Sequence, residues 1–239
     1  MPTCARSRGA PCARSAKAVS LFPGAGAVSG PGPGPVLFPL EVAPRMASAA
    51  ELAVTVTGCV ACAELAASRT QVVPGTAPAG AEVLLVGEAP GAQEDATGVP
   101  FVGRSGVLLD DLLAEAGLVR ERIAVANVLK CRPPANRTPR RSEIERCRPW
   151  LSRQLALIDP LVIVSLGSSA AAWFLGPSAR ISALREAGEP VRYGDRPLVV
   201  TYHPAAAIRF GPRGKPRAAL REDLATVSHL VAQRRTGRG

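Results

Sequence analysis

Six cysteines occur, at positions 4, 12, 59, 62, 131 and 147. Cys59-Val-Ala-Cys62 is a C-x-x-C pair, which alone fits a redox couple, half of a metal site or chance. Cys131 and Cys147 stand sixteen residues apart in basic sequence. One close pair plus two single cysteines can coordinate zinc or an iron–sulfur cluster. Zinc sites more often use two close pairs, so the uneven spacing leans towards iron and sulfide. Cys131 lies between Lys130 and Arg132, and a thiol beside two cations is expected to favour the thiolate, the form that binds metal or attacks an electrophile. Three other features invite a chemical reading: the turn GEAPG at 87–91, the amide of Asn127, and His203 before Pro204.

The elements around these residues explain why they meet. VLLVG (83–87) is a continuous apolar run ending in glycine, the pattern of a strand covered on both faces. RIAVANVL (122–129), LVIVSLG (161–167) and PLVVTYHP (197–204) read as three more strands. Between them, SGVLLDDLLAEAGL (105–118) has helical periodicity, and Gly117 gives a stop signal. Thr138-Pro139 is expected to open the next helix, with a kink or break at Pro149. SSAAAWFLG forms a short helix, and REDLATVSHLVAQ (221–233) closes the chain as another. Alternation of strand and helix predicts an α/β fold: a three-layer α/β/α sandwich around a mostly parallel, four-stranded sheet. In such sheets ligands bind beyond the carboxyl ends of the strands. GEAPG, Asn127, Gly167-Ser168-Ser169 and His203-Pro204 all follow strands, so all are expected at that end.

The chain has 239 residues, 47% apolar but only 4% aromatic, and a net charge of +10. A core of Ala, Leu and Val is implied, and the basic balance admits a polyanion partner such as nucleic acid. Residues 160–179 are uncharged but interrupted by Gly, Ser and Pro, which fits a buried strand, a loop and a helix better than a membrane span. Residues 1–45 hold 14 Gly plus Pro, five Lys or Arg and one acid. They are expected to be a disordered or artefactual extension, with the folded α/β domain spanning 46–239 and Met46 an ordinary start.

Taken together, GEAPGAQEDATGVPFVGRSG (87–106), NVLKCRPPANR (127–137), the four cysteines and YHPAAAIR (202–209) resemble the family 4 uracil-DNA glycosylases. The resemblance covers about residues 55 to 235, with the motifs in the family's order. It implies a base-excision repair enzyme, a monofunctional N-glycosyl hydrolase that flips uracil out of single- or double-stranded DNA. It also implies a structural [4Fe–4S] cluster on Cys59, Cys62, Cys131 and Cys147. Lys130, Arg132 and Arg137 would then serve thiolates and phosphates together. A monomer in the bacterial cytosol, associated with the nucleoid and not with a membrane, is the expected setting.

Uracil leaves as an anion while the sugar becomes cation-like, so such a site needs a donor at uracil O2, a carboxylate or positioned water near the sugar, and a reader of the base edge. The resemblance and this chemistry place Gly87, Glu88, Ala89, Phe101, Asn127 and His203 around the uracil. Asn127 reads the edge, Phe101 stacks on the ring and His203 donates to O2. Better-known relatives carry Asp or Asn where this chain has Ala89. The water-directing carboxylate must therefore come from elsewhere: Glu88 first, Glu94 second, with His203 completing the catalytic set. Arg104, Ser105, Ser168, Ser169 and Arg209 are candidate DNA contacts, and Ile208 a candidate wedge for the vacated stack. Two alternatives remain open: a single-turnover or covalent uracil-DNA binder, and a glycosylase of broader deaminated-base specificity.

Overall fold

The structure is a computed structural model, and it describes Gly34, 38–188 and 190–237. Three short helices come first: α1 (Pro39–Val42), α2 (Ala49–Val56) and α3 (Ala63–Ser68). Then follow β1 (Val83–Gly87), α4 (Ala92–Thr97), α5 (Arg104–Glu115), β2 (Ile123–Asn127), α6 (Arg141–Ile158), β3 (Val162–Leu166), α7 (Ser168–Leu175), α8 (Ile181–Glu186), β4 (Val191–Tyr193), β5 (Arg196–Thr201), α9 (Pro204–Phe210) and α10 (Lys215–Thr236). The strand order is β2-β1-β3-β5-β4. All neighbouring pairs are parallel except β4 against β5.

β1, β2 and β3 are fully buried, and β5 is buried after Arg196, because alternate side chains enter two different cores. Val83, Leu85, Val125, Val164 and Val199 pack with Leu109, Leu112 and Leu113 of α5 and with Leu220, Leu224 and Val227 of α10. Leu84, Val86, Ala126, Ile163 and Val200 pack with Leu151 and Leu155 of α6 and with Trp173 and Phe174 of α7. This double burial explains the unbroken apolar runs and the three-layer architecture. A third core joins Ala43, Leu52, Val56, Leu65, Cys131, Cys147 and Trp150 beneath the first three helices.

The sheet has five strands where four were expected. β4 is three residues long, half-exposed at the edge and joined to β5 through Gly194 at φ 62°, so it lacks the apolar signature of a buried strand. The helix expected from Thr138 begins at Arg141. Its start is set by Glu143, whose carboxylate accepts from the Arg140 amide at 2.7 Å. That helix then runs unbroken through Pro149 to Ile158, since the flanking Cys147, Trp150 and Leu151 are all buried. The last helix starts six residues earlier than its apolar pattern indicated, with Pro216 in its first turn.

Within the stretch expected to be disordered or artefactual, Pro39–Val42 is helical and continues into a single 3-10 turn, Ala43–Arg45. Ala43 is completely enclosed in the third core. Residues 1–33, also part of that expectation, lie outside the described residues. Introducing Ala43→Asp would bury an unpaired charge, and we expect it to lower unfolding free energy by roughly 2–4 kcal/mol. Urea denaturation checks this; an unchanged midpoint would place the start of the folded unit after residue 45.

Candidate active site

Parallel pairing aligns the carboxyl ends of β1 and β2 so that Gly87 sits opposite Asn127. The chain then continues the register into the loops: Val128 N donates to Gly87 O and Leu129 N to Glu88 O, both at 3.0 Å. A cavity of about 470 Å³ opens at this end, and its walls include Glu88, Ala89, Glu94, Phe101, Arg104, Ser105, Asn127 and His203. Gly87, at the buried end of β1, is not itself among the lining residues. A Cβ there would lie 2.4 Å from Asn127 Oδ1 and 2.7 Å from Phe101 Cζ, so no side chain fits.

The individual groups have distinct settings. Asn127 is buried, and its Oδ1 has no hydrogen-bond partner among the described residues. A buried acceptor left unpaired costs free energy unless a ligand completes it. Phe101 is held at φ 55°, an uncommon conformation for a bulky residue. Its carbonyl lies 1.7 Å from where a Cβ on Gly106 would stand, so the α5 glycine permits the turn. The Phe101 ring therefore belongs both to the core and to the cavity wall, with its centroid 5.6 Å from the His203 ring. His203 Nδ1 accepts from Ala205 N at 3.1 Å, capping α9. The proton of the neutral ring is thereby assigned to Nε2. Burial pushes the His203 pKa down to about 4, opposed in part by the charge of Glu94.

The carboxylates separate by their partners. Glu94 accepts from Gly91 N at 3.1 Å, Val102 N at 3.0 Å and Gly103 N at 2.9 Å, so it ties the GEAPG turn to the start of α5. Glu88 Oε2 accepts from Ser169 Oγ on α7, a contact that strand-end reasoning did not anticipate. Ser168, beside it, is exposed at the start of α7.

A second groove of about 390 Å³ shares Arg104 with the cavity and is lined by Val107, Ile208 and Arg217 among others. Ile208 is partly buried against the core. Phe210, two residues on, is 64% exposed, and the exposed Arg209 lies with its guanidinium 5.8 Å from that ring.

Cys59, Cys62, Cys131 and Cys147 line one small cavity together with Arg69, Lys130, Arg146 and Trp150. All four are free thiols. Among the described residues, no group of three or more His, Cys, Asp or Glu is disposed to hold a metal ion. Burial raises Cys131 to about 11 and Cys147 to about 12. Burial and neighbouring Cys59 also raise Cys62, against the pull of Arg146. The expectation of a thiolate at Cys131, favoured by its sequence neighbours, is thus overturned: desolvation outweighs the cations. The cation that touches Cys131 is Arg69, whose Nη1 lies 2.9 Å from Sγ. Arg132 turns instead to Asn136 Oδ1 at 2.7 Å, and Arg137 is paired with Glu143 and Glu64. Lys130 is fully buried, with its ammonium on Asn127 O and Gln154 Oε1. Arg146 adjoins Cys147 in the chain, but nothing in local sequence distinguishes Arg69 as a neighbour of the thiols.

The comparisons agree with this geometry. The family model for the uracil DNA glycosylase superfamily matches residues 74–225. The type-4 uracil-DNA glycosylase of Thermotoga maritima is 42% identical over 174 residues, 72% of this chain and 89% of the relative. That of Archaeoglobus fulgidus is 40% identical over 177 residues, 72% of this chain and 87% of the relative. A type-5 uracil-DNA glycosylase of Thermus thermophilus is 31% identical over 187 residues, 62% of this chain and 83% of the relative. Both fold and relatives make the chain a member of the uracil-DNA glycosylase superfamily. Within it, the chain belongs to the type-4 family, and so to the N-glycosyl hydrolases.

His203 gives a pH prediction. Its folded pKa, about 4, lies below the ordinary 6.5. The unfolded chain therefore binds the proton first as pH falls. The stability contributed by the neutral ring is complete above pH 6.5 and is lost as pH drops towards 4. His203→Asn should flatten the dependence of unfolding free energy across that window. An identical slope in both proteins, measured by denaturation at several pH values, would remove His203 as its source.

Proposed function

We propose that this chain excises uracil from DNA by hydrolysing the N-glycosidic bond, with the base flipped into the cavity beneath Phe101. The observation that carries this reading is the meeting of an unpartnered Asn127 Oδ1, a neutral His203 directed through Nε2 and the Glu88 carboxylate in one cavity. Uracil offers a donor at N3 and an acceptor at O4. A single amide matches both, whereas cytosine presents the opposite pattern. A neutral imidazole stabilises charge developing on O2 by donating its Nε2–H hydrogen bond, without transferring the proton. Phe101 supplies the stacking face.

Glu88 is the group we assign to the water and the sugar. Ser169 fixes one of its oxygens, whereas Glu94, the second choice, is occupied by three backbone amides and acts by holding the turn. On the DNA side, Arg104 and Ser105 at the cavity rim and the exposed Arg209 suit phosphates. Ser168 at the start of α7 suits them as well. Phe210, exposed where Ile208 is packed away, is the better wedge of the two. No helix among the described residues is long and apolar enough to cross a membrane.

The four cysteines fit an iron–sulfur cluster. Arg69, Lys130 and Arg146 surround the thiols, a charge arrangement suited to an anionic, thiolate-bound group, and the buried Trp150 Nε1 is an unpartnered donor on the same cavity wall. Ligation would deprotonate thiols whose own pKa values are raised. Bound there, a [4Fe–4S] group would cross-link α3, the 127–137 loop and α6; its contribution is to hold these in place.

A multiple-turnover assay tests the function. A uracil-containing oligonucleotide in tenfold excess should be fully converted to abasic product, revealed by hot alkali. Conversion stopping at one equivalent would instead identify a trapping protein. Glu88→Gln should lower the single-turnover rate by about 10²–10⁴-fold while DNA affinity persists. Wild-type rate in that variant would shift the water-directing role elsewhere. Asn127→Asp should slow uracil excision because the amide donor is lost, and unchanged excision would take Asn127 out of the pocket.

A further inference from the structure

Lys130 is 1% exposed and, beyond standing among the cations around the thiols, has no part in base recognition as described above. Its ammonium donates to the main-chain carbonyl of Asn127 at 2.9 Å and to Gln154 Oε1 on α6. Gln154 Nε2 donates in turn to Pro74 O at 2.8 Å, and Lys130 O accepts from Val73 N at 2.7 Å. The same side chain walls the cavity that holds the four thiols. A buried ammonium resting on two neutral acceptors is costly, and an apolar side chain of similar volume would fill the space without that cost. The charge therefore calls for a role beyond packing.

We propose that Lys130 is a positioning residue for base recognition, anchoring the main chain of Asn127 from the thiol-lined side and so linking that cavity mechanically to the uracil-reading amide. The inference rests on Asn127 reading the base. The geometry supports a tight link. Lys130 closes the turn that begins at Asn127, and Val128 N is fixed on Gly87 O. The peptide plane after Asn127 is thus held from both sides. The Asn127 amide has no slack either, since its Oδ1 already occupies the space that a Gly87 Cβ would need. Loss of the ammonium would free the carbonyl, and sub-ångström drift of the amide would misalign the base edge.

The test uses the full chain with its iron and sulfide content and visible absorption measured alongside activity. Lys130→Met should retain the absorption and bind abasic-analogue DNA within about threefold of wild type, yet excise uracil about 10- to 100-fold more slowly at saturating DNA. Its preference for uracil over cytosine should also fall. Gln154→Ala, which removes one brace and leaves Lys130, should lose less in the same direction. A Lys130→Met protein with full absorption and wild-type rate and selectivity overturns the proposal. Should that variant fail to fold, a wild-type rate in folded Gln154→Ala overturns it instead. Wild-type protein that does not excise uracil would defeat the functional reading itself, independently of either variant.

Discussion

Gly87 and Asn127 face one another across two parallel strands, and the space between them admits no carbon atom beyond the backbone. The Asn127 amide and the Phe101 ring both occupy the volume that a side chain at Gly87 would take. Everything else in the site follows from keeping that approach close. β1 and β2 must be in register, Phe101 must adopt its left-handed conformation, and Gly106 must lack a Cβ so that the turn at Phe101 can close against α5. Burial of both strand faces makes the register stable, because slipping by one residue would exchange the two cores.

α6 carries the second constraint. Leu151 and Leu155 pack against the sheet, while Cys147 and Trp150 enter the third core with Leu52, Val56 and Leu65. Gln154, on the same helix, braces Lys130. One helix thus joins the catalytic layer to the thiol-lined cavity. The electrostatics there are set by desolvation first and by charge second. Burial raises Cys131 and Cys147 despite adjacent cations, and it lowers Lys130 to about 8 despite adjacent sulfur.

Three acidic residues lie within eight positions after β1, and their fates differ. Asp95 is buried and accepts from Thr70 N at 3.0 Å, fastening the segment before β1. Glu94 binds amides on either side of its own helix. Glu88 faces the cavity with Ser169 as its partner. Acidic side chains close in sequence thus divide between scaffold and cavity wall according to which backbone amides reach them.

Local pattern determined much of this protein. The apolar runs at 83–87, 123–127, 162–166 and 197–201 specify strands buried on both faces, and the helices between them force parallel pairing. That topology alone sends GEAPG, Asn127, Ser169 and His203 to a common end. The motifs at 87–106, 127–137 and 202–209, together with the four cysteines, were also sufficient to identify the family. Tertiary structure decided what depends on distant partners. β4 is a strand only because β5 offers it an edge. α6 starts at Arg141 because Glu143 reaches back to the Arg140 amide. Cys131 answers to burial and to Arg69, sixty-two positions away, and not to its chain neighbours. Lys130, expected to serve thiolates and phosphates, is buried and bonded to Asn127 O and to Gln154 Oε1 on α6. Periodicity and turn chemistry act over a few residues and can be read from the chain. Desolvation and hydrogen-bond partnership arise only when segments far apart in sequence are packed together.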